Sequence, residues 1–424
     1  MSTIEPTATP PATGRHSAEA DTVPDRTPDL TPDRTPDRTP DRKPDGTPDG
    51  TPDRTPDGGP ESAPDSPTDT AAGAQAGANS IAAEESAAGP AAGTATASPA
   101  DSSVAPSAGP SVASPAVTFV APSAGTFDGW PAVPRFGTLP APLTDAVANV
   151  GIDLPVGRVT ALHARPEASA RGVVLLVPGF TGSKEDFGGF LPLLADRGWD
   201  AWSYSQRGQA DSAAPAGAEN YTLAAFAEDV VAVAELVGSG RPVHLLGHSF
   251  GGVVARAAAI LAPERFLDVT LLCSGPHGWA GRMEREEAIL RERGSVGLWN
   301  EGNPHTVGLP DAALTAEEAF LRLRMGATSD DQLLGAAAIL SDENDSTGEL
   351  LATGLDTMVA HGVDDPAWPQ EWQASMAGLL DARYAIIPEA AHSPQLENPE
   401  VTADLLDQFW GRDSTHPPVD APEQ

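Results

Sequence analysis

Val243-His244-Leu245-Leu246-Gly247-His248-Ser249-Phe250-Gly251-Gly252-Val253-Val254 is the stretch that decides the fold. Val243 to Leu246 is a short apolar run of strand length. Gly251 to Leu261 is rich in alanine and valine and suits a helix. Between them lies Gly247-His248-Ser249-Phe250-Gly251, a G-x-S-x-G element at a strand-to-helix junction. The pentapeptide alone would also suit a helix start with a capping serine. The strand before it and the helix after it read instead as a tight turn that lifts the Ser249 hydroxyl above a sheet. Glycine at 247 and 251 removes the Cβ atoms that would clash in such a turn. The helix start adds positive partial charge beside Ser249. His248, adjacent on the turn, is read as structural.

Upstream, Gly172-Val173-Val174-Leu175-Leu176-Val177 is continuously apolar, as expected of a strand buried on both faces, and ends at Pro178-Gly179. Arg158 to His163 alternates weakly. Phe187 to Arg197 suits a helix closed by Gly198, and Asp200 to Ser205 a strand. Leu223, Phe226, Val230, Val233 and Val237 mark a helix over 221–237. Downstream come the strand Val269 to Cys273, then helical sequence over 283–356. A strand follows at Thr357 to Ala360, a helix at Trp368 to Leu380, a strand at Ala382 to Ile387 and a helix at Pro399 to Trp410. Strands alternating with helices imply βαβ units. The fold class is α/β, a mostly parallel central sheet with helices on both faces. The domain reading is a core of 126–282 and 357–412, interrupted by a helical cap at 283–356.

The ends differ in kind. From Pro24 to Pro60 a proline recurs every four residues, mostly in Thr-Pro-Asp-Arg and Thr-Pro-Asp-Gly. With so few large apolar residues, 1–125 cannot offset a chain entropy of roughly 1–2 kcal/mol per residue and is read as a disordered tail. Residues 413–424 are read as a short disordered end. Of the net charge of −35, −11 falls on 1–125, which carries 18 acidic and 7 basic side chains, leaving −24 on the remainder. An acidic surface repels phosphate backbones, so no nucleic-acid partner is expected. No apolar run reaches membrane-spanning length, so no membrane insertion is expected. Cys273 is the single cysteine and cannot form an intrachain disulfide. Met1 to Pro6 shows neither a basic start nor an apolar stretch, so the expected location is cytoplasmic. Oligomeric state is not legible.

Four motifs together resemble the α/β-hydrolase fold family, in the branch with a serine nucleophile and a helical cap, over about 126–412. The first is the elbow. The second, Gly362-Val363-Asp364-Asp365-Pro366, resembles the family's G-x-x-D-P turn; Asp365 takes the acid position and Asp364 is the fallback. The third, Glu389-Ala390-Ala391-His392-Ser393-Pro394, resembles the histidine loop. The fourth, Pro178-Gly179-Phe180-Thr181-Gly182-Ser183, resembles the oxyanion loop, with Pro178 where histidine is usual. Ser205 to Ser212 resembles a structural loop, D-x-R-G-x-G-x-S, with departures at Ser205 and Ala210. The resemblance implies a triad of Ser249, His392 and Asp365, with the backbone N–H groups of Phe180 and Phe250 as the oxyanion hole.

No metal and no cofactor are expected. The histidines lack H-E-x-x-H spacing, and the glycine-rich turn lacks the spacing of a phosphate loop. The implied partner is a small-molecule acyl substrate, cleaved through an acyl-enzyme as an ester or thioester. A cofactor-free perhydrolase resembling haloperoxidases, and a non-catalytic ligand-binding protein of the same fold, remain alternatives. Trp299, Phe320, Leu333 and Ile339 are candidates either for an acyl pocket or for the cap's own small core.

Overall fold

The computed structural model describes residues 126–127, 129–139 and 143–412. The readings of 1–125 and of 413–424 as disordered lie outside the described residues. Eight strands form one sheet: β1 Val147–Leu154, β2 Gly157–Ala164, β3 Gly172–Val177, β4 Trp199–Tyr204, β5 Val243–His248, β6 Phe266–Leu272, β7 Asp356–Gly362 and β8 Arg383–Ile387. Their spatial order is β8-β7-β6-β5-β3-β4-β2-β1. Every pair from β4 to β8 is parallel, while β2 runs antiparallel to both β1 and β4. A separate antiparallel ladder joins Thr126–Phe127 to Trp130–Pro131.

Strand periodicity explains why the sheet is apolar on both sides. Successive side chains point to opposite faces. Leu175 and Val177 therefore join the core beneath α2 Leu223–Val237 and α3 Phe250–Leu261. Val174 and Leu176 join the other core, with Leu191 and Leu194 of α1 Leu191–Asp196 and Leu406 and Phe409 of Pro399–Trp410. Thr222 starts α2 by accepting a hydrogen bond from Ala225 N–H on its side chain.

Between β6 and β7 the chain leaves the sheet for four helices: α4 Glu284–Gly302, α5 Ala316–Ala327, α6 Asp330–Leu340 and α7 Thr347–Ala352. Gly294, at φ 66°, breaks α4 in two. Ile289, Leu290, Leu298, Trp299, Met325 and Leu333 form a third apolar cluster among these helices. α8 Gln370–Leu380 then connects β7 to β8. Among the described residues no helix is long and apolar enough to cross a membrane.

The periodicity does not announce β1. Asn149 and Gly151 interrupt the apolar pattern of Val147 to Leu154. Gly151 lies across from Thr160 beside the Arg158 side chain, where a Cβ would meet Arg158 Cδ at 2.7 Å.

Candidate active site

The parallel strands end at one edge of the sheet, where open α/β sheets place their ligands. Ser249 sits there between β5 and α3, at φ 56° and ψ −122°. This is a left-handed backbone conformation unusual for a residue with a side chain. Close packing dictates both flanking glycines. A Cβ at Gly247 would lie 2.1 Å from the carbonyl oxygen of Gly251, and one at Gly251 would lie 2.2 Å from that of Val177. The turn is therefore pressed against the end of β3, and that contact brings the loop after β3 to the serine.

The Ser249 Oγ lies 2.9 Å from His392 Nε2, and His392 Nδ1 lies 2.7 Å from Asp365 Oδ1. The three residues arrive on separate loops, after β5, β7 and β8. Gly362 lets two of these loops meet, because a Cβ there would lie 2.1 Å from the Ala391 carbonyl oxygen. Glu397 accepts hydrogen bonds from the N–H groups of Ala391 and Ser393, which holds the histidine loop. Asp365 is buried, whereas Asp364 is exposed and offers its N–H to the Ala390 carbonyl. The carboxylate facing His392 is that of Asp365.

Burial alone would raise the Asp365 carboxyl's pKa. The hydrogen bond and charge of His392, the Ala367 N–H and the Gln373 amide outweigh burial and hold it below the usual carboxylate value. Arg282 supports the same loop. Its guanidinium stacks on Trp368, 3.8 Å from the ring centroid, and donates to the Ala367 carbonyl.

His248 also faces the site. Burial, and then the neighbouring His392, lower its pKa to about 4, so the ring is neutral near pH 7. Its Nε2 lies 2.6 Å from the His392 carbonyl oxygen, so Nε2 carries the proton and donates it. The residue tethers the histidine loop to the serine turn. Its neutrality also spares His392 a neighbouring positive charge.

The loop Pro178 to Ser183 lies over Ser249, and a Cβ at Gly179 would come 3.3 Å from Ser249 Cβ. Neither the Phe180 N–H nor the Phe250 N–H is taken up by a carbonyl or side chain among the described residues. The Phe180 side chain packs between the sheet core and the cluster of α4–α6, so it forms part of an apolar wall.

Sequence reading missed how this loop is held. Gln206 Nε2 donates to the Pro178 carbonyl at 3.0 Å, and Gln209 Nε2 donates to the Gly179 carbonyl at 2.7 Å. Gln209 in turn accepts from the Gln206 N–H. A peptide unit is planar and trans, so fixing the Gly179 C=O also fixes the direction of the Phe180 N–H. No periodicity marks these glutamines, because their partners lie about thirty residues away.

Cys273 is buried next to the site at φ 52°, with Sγ 3.8 Å from the Ala391 carbonyl oxygen. Burial and the nearby Asp365 push its thiol well above the usual range. Ligating atoms of His248, Cys273 and His392 come within 4.8 Å of one another. The ring of His392 already serves Ser249 and Asp365, His248 Nε2 serves a carbonyl, and the thiol keeps its proton.

Of the four apolar candidates, Trp299 and Leu333 lie in the helical segment's own cluster. Phe320 packs edge-on against Phe136, and Ile339 packs against the sheet core.

A family model described as alpha/beta hydrolase fold matches residues 172–293. The chain is similar to the probable oxidoreductase EphD of Mycobacterium tuberculosis, 37% identical over 114 residues, 26% of this chain and 18% of that protein. The match thus spans less than a fifth of that relative's length. The chain is also similar to the putative carbamate hydrolase RutD of Variovorax paradoxus, 27% identical over 273 residues, 59% of this chain and 96% of that protein. Among solved structures, a thermophilic esterase from Thermogutta terrifontis superposes with a TM-score of 0.52 at 22% identity, covering 62% of this chain and 98% of that chain.

Proposed function

We propose, from its membership of the α/β-hydrolase fold family, that this chain is a serine hydrolase cleaving a carboxylic ester or thioester of a small molecule. The observation that carries the reading is the continuous relay from the Ser249 hydroxyl through His392 to the buried Asp365 carboxylate. Ser249 Oγ attacks the substrate carbonyl as His392 Nε2 takes its proton. Asp365 fixes the tautomer with the proton on Nδ1 and stabilises the imidazolium that forms. The two unengaged amides, Phe180 N–H and Phe250 N–H, bind the developing oxyanion. The N-terminus of α3 adds positive partial charge there. The alcohol or thiol leaves with the proton from His392. Water, deprotonated by the same imidazole, then releases the acid.

The apolar wall made by the Phe180 side chain favours an uncharged acyl group. Similarity to a putative carbamate hydrolase supports attack on a carbonyl carbon.

A series of p-nitrophenyl esters of increasing acyl length tests the reading. Turnover of at least one member is expected, together with its loss in Ser249→Ala by roughly the 10³-fold or more that a nucleophile contributes. Turnover unchanged in Ser249→Ala would remove the proposal, as would no turnover of any member.

A further inference from the structure

A cavity of about 350 Å³ lies away from the serine, between α2, α3 and the connection from α6 to α7. Its walls are mainly apolar, from Leu223, Ala227, Val253, Ala257, Ile260 and Ile339. None of Ser249, Asp365, His392 or Phe180 lines it. One side chain there is out of keeping. Arg256, on α3, is only 3% exposed and reaches this cavity. Among the described residues it meets no carboxylate within ion-pair distance. Its Nη1 donates to the Gly275 carbonyl at 3.2 Å and contacts the Met376 sulfur at 3.6 Å, while Nε has no partner.

A guanidinium offers five N–H donors, and holding one loop carbonyl uses one of them. Burial lowers its pKa to about 10, against weaker opposition from Asp345 and Glu349, so it remains a cation near pH 7. A buried charge is ordinarily paired. A largely apolar cavity with a few convergent polar or charged groups is the usual construction of a small-molecule site, and Arg256 is the only cation among the residues lining this one.

We propose that this cavity binds an aliphatic monocarboxylate, with the carboxylate on Arg256 and the chain along the apolar walls. A single negative charge fits better than a phosphate dianion, because Glu228 and Asp342 also line the cavity and would repel added charge. The site stands independently of the chemistry at Ser249.

Calorimetric titration of the full-length chain with decanoate and with decanol, after blocking Ser249 with a fluorophosphonate, tests this. Decanoate is expected to bind saturably and about tenfold or more tighter than decanol, the scale of one charge-assisted hydrogen bond. Arg256→Met is expected to erase that difference and leave decanol binding unchanged. Ala257→Phe keeps the arginine but fills the cavity from a half-buried wall position, and is expected to abolish binding of both ligands. It is also expected to leave the far-ultraviolet circular dichroism and ester turnover of unblocked protein unchanged. The proposal is overturned by no saturable decanoate binding, by equal affinity for acid and alcohol in the wild type, or by decanoate affinity indifferent to Ala257→Phe. Should Arg256→Met fail to fold, the acid–alcohol difference and the Ala257→Phe result still decide.

Discussion

At Asp365, burial and hydrogen bonding pull in opposite directions, and hydrogen bonding prevails. Three groups around the carboxylate make its ionised form the stable one, and one of them is the imidazole it orients. Replacing it by asparagine keeps the shape but favours the wrong tautomer of His392. Asp365→Asn is therefore expected to lower kcat by roughly 10⁴ with little change in KM, in steady-state assays on the best ester. The same depressed pKa has a thermodynamic counterpart. A carboxyl whose folded pKa lies below its unfolded value of about 3.9 stabilises the fold at higher pH and loses that contribution as pH falls through the folded value. The gap in urea midpoint between wild type and Asp365→Asn should accordingly narrow as pH is lowered through the range below about 4. A gap independent of pH would contradict the ionised carboxylate.

Elements rather than single side chains determine where those residues meet. The elbow exists because β5, α3 and the end of β3 approach more closely than any Cβ permits. Gly251→Ala, with its added carbon 2.2 Å from a backbone oxygen, is expected to cost about 1–3 kcal/mol or more in urea unfolding. The loop after β3 depends on Gln209. In Gln209→Leu the Gly179 carbonyl loses its buried donor and the Phe180 N–H loses its fixed direction. A fall in kcat with KM nearly unchanged is expected, together with a stability loss of about 1–3 kcal/mol. A stability loss with kcat intact would assign Gln209 a purely structural role.

The elbow, the acid turn and the histidine loop were legible in the sequence because each is local. A few residues at fixed spacing, bounded by an apolar strand, state their own geometry. The grip of Gln206 and Gln209, the approach of Cys273 to the site and the tether from His248 to the His392 carbonyl are contacts across the fold. They leave no local pattern. β1 escaped for a simpler reason, since a polar residue and a glycine broke its alternation.

Across the molecule, the helical segment between β6 and β7 is tied to the site by polar contacts as well as by Phe180. Arg324 on α5 pairs with Asp186 in the turn that follows the Phe180 loop. Ser329 N–H donates to the Gly208 carbonyl at 2.8 Å. Both ties reach segments that hold the loop carrying the Phe180 N–H. Arg324 is buried and Asp186 half-buried, so removing the guanidinium leaves the carboxylate without its cation but still holding the Ser183 N–H. Arg324→Met is expected to destabilise by about 1–3 kcal/mol in denaturant titration. It is also expected to raise KM for longer acyl chains as the helices loosen over the site. Unchanged stability and KM would show that the segment is held without this pair.

Peptide mapping of the native chain after treatment with a fluorophosphonate tests the relay itself most directly. A single adduct on the Ser249 peptide is expected, with its rate of formation collapsing in His392→Ala. No adduct on folded protein, an adduct on another serine, or labelling of Ser249 at an unchanged rate in His392→Ala would contradict the account.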